Sequence, residues 1–106
     1  MRIVMVRYTV KPGREAENEA LVRTVYEELA TSPPDGFRYA TFVEDDGRSF
    51  VHLAAIDDEQ ENPLNRVRAF AEFQHEIGER CEIPPAVSTL RGVGSLRLLG
   101  FDGPAS

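Results

Sequence analysis

Three stretches of the chain predict β-strands: the first and third are mainly apolar, and in the second the side chains alternate between two faces. The first stretch runs from Arg2 to Val10 and is rich in branched and aromatic residues. The second and third, Phe37 to Glu44 and Ser49 to Ile56, flank Asp45-Asp46-Gly47, which has the chemistry of a hairpin turn. The pattern therefore predicts an N-terminal strand followed later by a β-hairpin.

Two other stretches repeat their apolar residues at helical spacing. The first runs from Arg14 to Ala30 and ends at a loop rich in proline and glycine, 31–36. The second begins at Asn62, a suitable N-cap, and is predicted to continue until Ile83-Pro84-Pro85 stops it. A last strand is predicted at roughly Gly94 to Leu99, after a stretch whose structure the pattern does not determine.

The element order β-α-β-β-α-β predicts an α+β, ferredoxin-like sandwich. In this fold a four-stranded antiparallel sheet carries two helices on one face, and the first and third strands are central. The other sheet face would then expose an apolar patch larger than monomers usually tolerate. We therefore expect a homodimer that forms through the sheet face and encloses a cavity between sheet and helices.

Length, net charge and the single cysteine exclude several classes of function. The 106 residues suit a single domain, 1–106, and the net charge of −6 without a basic cluster argues against nucleic acid as a partner. The apolar stretches are too short to span a bilayer, so we expect no membrane association and a cytoplasmic protein. Cys81 is the one cysteine, which excludes an internal disulfide, and we interpret it as a small buried apolar residue.

The segment Arg7-Tyr8-Thr9-Val10-Lys11-Pro12-Gly13-Arg14-Glu15 resembles the opening of the antibiotic biosynthesis monooxygenase family, in which a strand runs through K-P-G-R-E into a helix. Three later segments are similar to parts of the same family, so that the resemblance covers most of the chain: Phe37-Arg38-Tyr39, Phe50-Val51-His52 and Ala69-Phe70-Ala71-Glu72-Phe73. The resemblance implies one dimeric α+β barrel domain. This scaffold is shared by several activities, so function inferred from it is an analogy at the level of fold.

Members of that family oxidise anthrone-like aromatic compounds with neither metal nor flavin. The resemblance therefore implies a cofactor-independent monooxygenase that acts on an aromatic or quinone-type small molecule, whose carbanion or enolate reacts directly with O₂. The alternative is a non-catalytic dimer of the same fold that binds a small apolar ligand or serves as an accessory protein, and the absence of tryptophan favours it. Haem degradation ranks below both, because residues 1–10 lack the asparagine that this branch uses.

Three strand residues are candidates for catalysis. His52 lies in the middle of a predicted central strand, where it is either a hydrogen-bonded core residue or, if it faces the cavity, a base that works near neutral pH. Tyr8 and Tyr39 could donate hydrogen bonds to a substrate oxygen or serve in packing.

Five further residues are candidates for substrate binding. Arg7 could pair with an anionic substrate or with an acid of the partner chain. The others lie on the second predicted helix: Asn65 and Arg66 in the region where the family carries its polar residues, Phe70 on the apolar helix face, and His75 at a solvated or interface position. The acidic runs lack the spacing of a calcium loop, and we predict no metal site.

Overall fold

The structure is a computed structural model that describes residues 1–98 and 103–104. The main strands and helices, in chain order, are β1 (Arg2–Val10), α1 (Glu15–Thr31), β2 (Phe37–Val43), β3 (Ser49–Ile56), α2 (Arg68–Gln74), α3 (Ile77–Arg80) and β4 (Cys81–Leu90). A 3₁₀ turn, Pro63–Arg66, precedes α2, and two short strands, β5 (Gly94–Ser95) and β6 (Gly103–Pro104), pair with each other.

The main sheet is antiparallel, with the strand order β2-β3-β1-β4. Strands β1 and β3 are central, so the predicted ferredoxin-like α+β topology is confirmed. In the register, His52 of β3 lies opposite Val6 of β1 and opposite Thr41 of β2. Because side chains alternate between faces, this register places His52, Tyr8 and Tyr39 on one face.

The helices pack on that same face and form the core with it. Tyr8, Val10 and Phe50 of the sheet belong to one buried cluster with Val22 of α1 and Phe73 of α2. The opposite, helix-free face of the sheet leaves large apolar side chains exposed, among them Phe42, Ile83 and Leu90. In the described part of the chain, no helix is long and apolar enough to span a membrane.

The second predicted helix is wrong in extent, because the chain breaks it twice. Asn62 is confirmed as a cap, since its Oδ1 accepts a hydrogen bond from the Leu64 amide, but it caps the 3₁₀ turn. Val67 then takes an extended conformation before α2 begins. After α2, His75 is extended and Glu76 adopts a left-handed φ of 60°, a conformation that disfavours continuation of the helix.

The predicted last strand is also wrong: the fourth strand of the sheet is Cys81–Leu90, not Gly94 to Leu99. Leu99 lies outside the described residues, and Gly94–Ser95 belongs to the separate two-stranded sheet. Pro84 and Pro85 do not end a helix but lie within β4, next to a register shift. An edge strand pairs on one side only, and a bulge releases further amides, so it tolerates prolines that a central strand would not.

Candidate functional site

A cavity of about 360 Å³ lies between the sheet and the segment 62–77. Its walls are mainly apolar and aromatic, with a few polar side chains. The lining residues are Val4, Val6, Tyr8, Tyr39, His52, Ala54, Asn62, Leu64, Phe70, Phe73, Gln74, Ile77, Pro85 and Val87.

His52 is held between two tyrosine hydroxyls in the cavity wall. Tyr8 Oη lies 2.8 Å from His52 Nε2, and Tyr39 Oη lies 2.7 Å from His52 Nδ1. Thr41 Oγ1 lies 3.1 Å from the same Nδ1 atom. Both ring nitrogens therefore have partners, and a ligand in the cavity would meet Tyr39 rather than a free imidazole nitrogen.

Burial sets the protonation states of these groups. His52 is only 6% exposed, and desolvation lowers the pKa of its imidazole to about 4. Burial raises the pKa of Tyr8 and of Tyr39 well above the ordinary value for tyrosine. At neutral pH the cavity thus carries a neutral imidazole and two protonated phenols, which act as hydrogen-bond donors and acceptors without charge.

Two polar residues lie behind the cavity wall and continue the hydrogen bonding. Asn18 Nδ2 donates to Tyr8 Oη at 2.9 Å, and Arg80 Nε donates to Asn18 Oδ1 at 3.3 Å. Both residues are almost completely buried, with 0% exposure for Asn18 and 2% for Arg80. They turn the His52 group into a row of five side chains that runs from the core to the cavity.

Sequence reasoning missed Asn18 and Arg80, although a signal was present. Asn18 precedes Val22 by one helical turn, and Arg80 follows Ile77 by three residues. Each polar residue thus occupies a position in the apolar stripe of its segment, where a polar side chain needs a buried partner. Such a position identifies a polar core residue but does not identify its partner.

No three histidine, cysteine, aspartate or glutamate side chains of the described residues lie together as a metal-ligand set. A larger crevice, of about 590 Å³, lies between the end of α1 and residues 60–67. It contains none of the buried titratable groups described above. The chemistry therefore favours the smaller cavity as the site.

No protein-family model and no curated protein matches the chain. Solved structures do match it. The crystal structure of an antibiotic biosynthesis monooxygenase superposes with a TM-score of 0.69 over 88% of this chain and 99% of that chain, at 19% identity. NE2512, a protein of unknown function from Nitrosomonas europaea, gives a TM-score of 0.71 over 93% and 95% of the two chains, at 16% identity.

A point mutant of SnoaB, a cofactor-independent oxygenase from Streptomyces nogalater, gives a TM-score of 0.62 over 91% of this chain and 97% of that chain, at 22% identity. The chain has the fold of the antibiotic biosynthesis monooxygenases. The resemblance predicted from the sequence is thus confirmed at the level of the fold.

Within this antibiotic biosynthesis monooxygenase fold, four of the predicted site residues meet at one cavity. They are Tyr8, Tyr39, His52 and Phe70. Asn62 and Gln74 join them, although the sequence pattern favoured a capping role for Asn62. Tyr39 and His52 come together because β2 and β3 are adjacent, which the hairpin pattern predicted.

The other four predicted residues do not line this cavity. Arg7 lies on the helix-free face, where its Nε donates to Glu44 Oε2 at 2.6 Å. Asn65 and Arg66 are exposed on the 3₁₀ turn, and His75 is exposed where α2 ends. A role for these four residues in substrate binding stays a prediction, because none of them lines the cavity.

Proposed function

We propose that this protein is a cofactor-independent monooxygenase that binds an aromatic or quinone-type small molecule in the cavity between the sheet and α2. The observation that carries the proposal is the Tyr8–His52–Tyr39 group, which is set in a mainly apolar wall. The similarity in fold to SnoaB, a named cofactor-independent oxygenase, supports the same reaction class.

The walls suit a flat, apolar ligand. Phe70 and Phe73 lie with ring centroids 6.0 Å apart, and Phe73 also lies 5.3 Å from the His52 ring centroid. A volume of about 360 Å³ falls within the range of small-molecule sites. Aromatic rings that are already ordered bind a flat ligand with little loss of side-chain entropy.

The polar groups suit a ligand whose oxygen becomes negative during the reaction. An acidic phenol or ketone that releases a proton to solvent forms a phenolate or enolate, and the Tyr39 hydroxyl is placed to donate a hydrogen bond to it. The resulting carbanion then adds to O₂, the peroxide anion takes a proton back from solvent, and the hydroperoxide loses water to leave a carbonyl. In balance, a methylene and O₂ give a carbonyl and water, and the substrate supplies all four electrons.

The geometry gives His52 a supporting part. Because its two nitrogens contact Tyr8 and Tyr39, any proton exchanged with a ligand would pass through a tyrosine hydroxyl. Its pKa of about 4 also makes it a weak base in the empty cavity. The base role predicted from the sequence would therefore require a neighbouring anion that stabilises the imidazolium. We instead assign His52 a role in stabilising the oxyanion through its hydrogen bond to Tyr39.

The alternative function is binding without catalysis, in a dimer of the same fold. It is favoured by the same contacts, since the cavity has no imidazole nitrogen free to act on a ligand directly. In either case we propose that the active form is a homodimer that covers the helix-free face.

The test combines ligand binding with oxygen consumption. The purified protein is presented with a panel of anthrones and dihydroquinones, with a chelator and without flavin, and O₂ uptake is recorded. We expect uptake that depends on substrate and a loss of about 100-fold in kcat for Tyr39→Phe, as for removal of an oxyanion donor. Tyr26→Phe is the matched control, because Tyr26 is half-buried and hydrogen-bonded to Thr41 but does not line the cavity.

Binding of a panel member without O₂ uptake would favour the non-catalytic alternative. If no member binds, the proposed ligand class is wrong. Equal losses for Tyr39→Phe and Tyr26→Phe would contradict the role of the Tyr39 hydroxyl.

A further inference from the structure

The hydrogen bonds in the row of five side chains at the cavity all donate in the same direction, from Arg80 toward Tyr39. Arg80 lies at the inner end of the row, Asn18, Tyr8 and His52 follow, and Tyr39 forms the end in the cavity wall. Each neighbouring pair is joined by a hydrogen bond, but the positions of the heavy atoms alone do not say which atom donates. The chemistry of Arg80 decides this for the whole row.

A guanidinium has donors and no acceptor. Arg80 Nε therefore donates to Asn18, and the oxygen of the Asn18 amide must face Arg80. The other guanidinium nitrogens donate to the carbonyls of Phe73 at 2.5 Å and of His75 at 3.0 Å. These three contacts hold the arginine in place, so the orientation of the Asn18 amide is fixed as well.

With its oxygen toward Arg80, Asn18 presents its NH₂ group to Tyr8 and donates to Tyr8 Oη. The Tyr8 hydroxyl has one proton of its own, and Tyr8 is only 1% exposed. The acceptor for that proton among the described residues is His52 Nε2, at 2.8 Å. If Nε2 carried a hydrogen instead, the Tyr8 proton would be buried without an acceptor, which is costly.

A neutral imidazole with an unprotonated Nε2 carries its hydrogen on Nδ1. His52 Nδ1 then donates to Tyr39 Oη at 2.7 Å, with Thr41 Oγ1 as a second, longer acceptor at 3.1 Å. The Tyr39 oxygen is thereby used as an acceptor, and its own proton is not needed by His52. Thr41 lies close enough to interact with the Tyr39 hydroxyl. A ligand oxygen in the cavity would compete with Thr41 for the Tyr39 proton.

The row also begins at a positive charge. The hydrogen-bond acceptors of Arg80 among the described residues are an amide oxygen and two backbone carbonyls, all of them neutral, while the exposed Glu17 carboxylate interacts with the guanidinium electrostatically but is not among these acceptors. A buried charge with neutral partners polarises the hydrogen bonds that start from it, and successive bonds of the same direction strengthen one another. The end that faces the cavity therefore prefers a negative ligand oxygen to a neutral one.

We propose that Arg80 and Asn18 are positioning residues, which fix His52 as its Nδ1–H tautomer and make Tyr39 a hydrogen-bond donor to a phenolate or enolate oxygen in the cavity. The ligand part rests on the proposed function. The tautomer part stands without it.

The first experiment determines the tautomer of His52 by NMR of the full chain, with isotope labels in the histidine rings. The chain has two histidines, so exposed His75 is an internal reference. Because burial lowers the pKa of His52 to about 4, its ring is neutral across the measuring range of about pH 6.5 to 8. We expect the Nδ1–H form, and an Nε2–H form in the wild-type protein would overturn the proposal without any variant being needed.

Asn18→Asp is designed to reverse the row with almost no change in shape. A carboxylate has no donor, so Tyr8 would have to donate to it and to accept from His52 Nε2–H. The new carboxylate would also pair with Arg80, which compensates its charge. We expect His52 to change to the Nε2–H tautomer, whereas Asn65→Asp, the same change at an exposed position, should leave it unchanged. A folded Asn18→Asp protein that keeps the Nδ1–H form would overturn the proposal.

The ligand part is tested with 4-nitrophenol, whose phenol and phenolate forms absorb at different wavelengths. We expect the wild-type protein to bind the phenolate about 10-fold more tightly than the phenol, so that binding lowers the ionisation pH of the probe, and Asn18→Asp to abolish this preference. Equal affinity for both forms in the wild type would overturn the ligand part. A probe that does not bind at all, together with the expected tautomer, would count against the proposed function and leave the positioning role supported.

Discussion

At the scale of single residues, the site is made from polar side chains that the core accepts because each has a partner. Tyr8, Asn18 and His52 are all buried, and each makes at least one hydrogen bond to another member of the row. A buried polar group without a partner lowers the free energy of unfolding. Loss of one hydrogen bond in the row would leave such a group behind, so the members of the row depend on one another. The free energy of unfolding should therefore depend on the protonation of His52, the member of the row whose pKa lies below neutral pH.

The stability of the protein should fall as the pH falls below neutral. The His52 pKa is about 4 in the folded chain and about 6.5 in an unfolded chain, so protons bind preferentially to the unfolded state between these values. The contribution of His52 is complete above about pH 6.5 and decreases toward about pH 4. We expect the free energy of unfolding in urea to decrease by about 2 kcal/mol between about pH 7 and pH 5 from this source.

His52→Gln should flatten that pH dependence, and His75→Gln should preserve it, because His75 is exposed. A wild-type protein that is equally stable at neutral pH and two pH units below would contradict a buried neutral His52. Asp46 does not interfere, since the hairpin hydrogen bonds from Ser49 lower its pKa to about 2 and place its transition at more acidic pH.

At the scale of elements, α2 is short and depends on groups from other elements. It has seven residues and no capping side chain at its own N-cap. The Glu28 carboxylate of α1 accepts hydrogen bonds from the backbone amides of Arg68 and Ala69, both at 3.0 Å. A negative group at this end also interacts favourably with the helix dipole. Glu28 thus holds the helix that carries Phe70 and Phe73 against the cavity.

Glu28→Gln should weaken this attachment, because an amide keeps one acceptor, loses the charge and brings an NH₂ group toward two backbone donors. We expect a decrease of about 1 kcal/mol in the free energy of unfolding, measured by urea denaturation. Glu27→Gln is the control, since Glu27 is the neighbour on the same helix and makes no such contact with α2. Equal effects of the two substitutions would show that the contacts from Glu28 to α2 contribute nothing.

At the scale of the whole molecule, the helices cover one face of the sheet, and the other face exposes large apolar side chains. The helix-free face contains a groove of about 300 Å³ whose walls are mainly apolar and include Ile3, Phe42, Leu53 and Leu90. Phe42 is 53% exposed in the single chain. Removing apolar surface of this kind from water is favourable, and a second copy of the sheet is the simplest cover.

The protein should therefore be a dimer in native mass spectrometry, with a mass twice that of the chain. Phe42→Asp should shift it toward monomer by placing a charge on the helix-free face. Val43→Asp is the matched control: Val43 is the next residue, is 47% exposed and points to the other side of the sheet. A monomeric wild type, or equal dissociation by both variants, would contradict a dimer that forms through this face.

The sequence by itself determined the parts of the fold that are encoded locally. Strands β1 to β3 were predicted nearly to the residue, because short runs of branched, aromatic and apolar residues and the turn at Asp46-Gly47 are properties of adjacent residues. Helix α1 was predicted within one residue at each end for the same reason. These strands carry Tyr8, Tyr39 and His52, so three members of the site could be named before their contacts were known.

Tertiary structure alone decided where the second helical segment breaks, and which polar residues complete the site. The break after α2 is held by Arg80, which donates to the carbonyls of Phe73 and His75, and α2 begins where Glu28 of another helix meets it. Asn18 and Arg80 meet although 62 positions separate them along the chain. Local patterns determine the conformation of neighbouring residues, but the energy of a buried hydrogen bond depends on a partner that only the folded chain brings within reach.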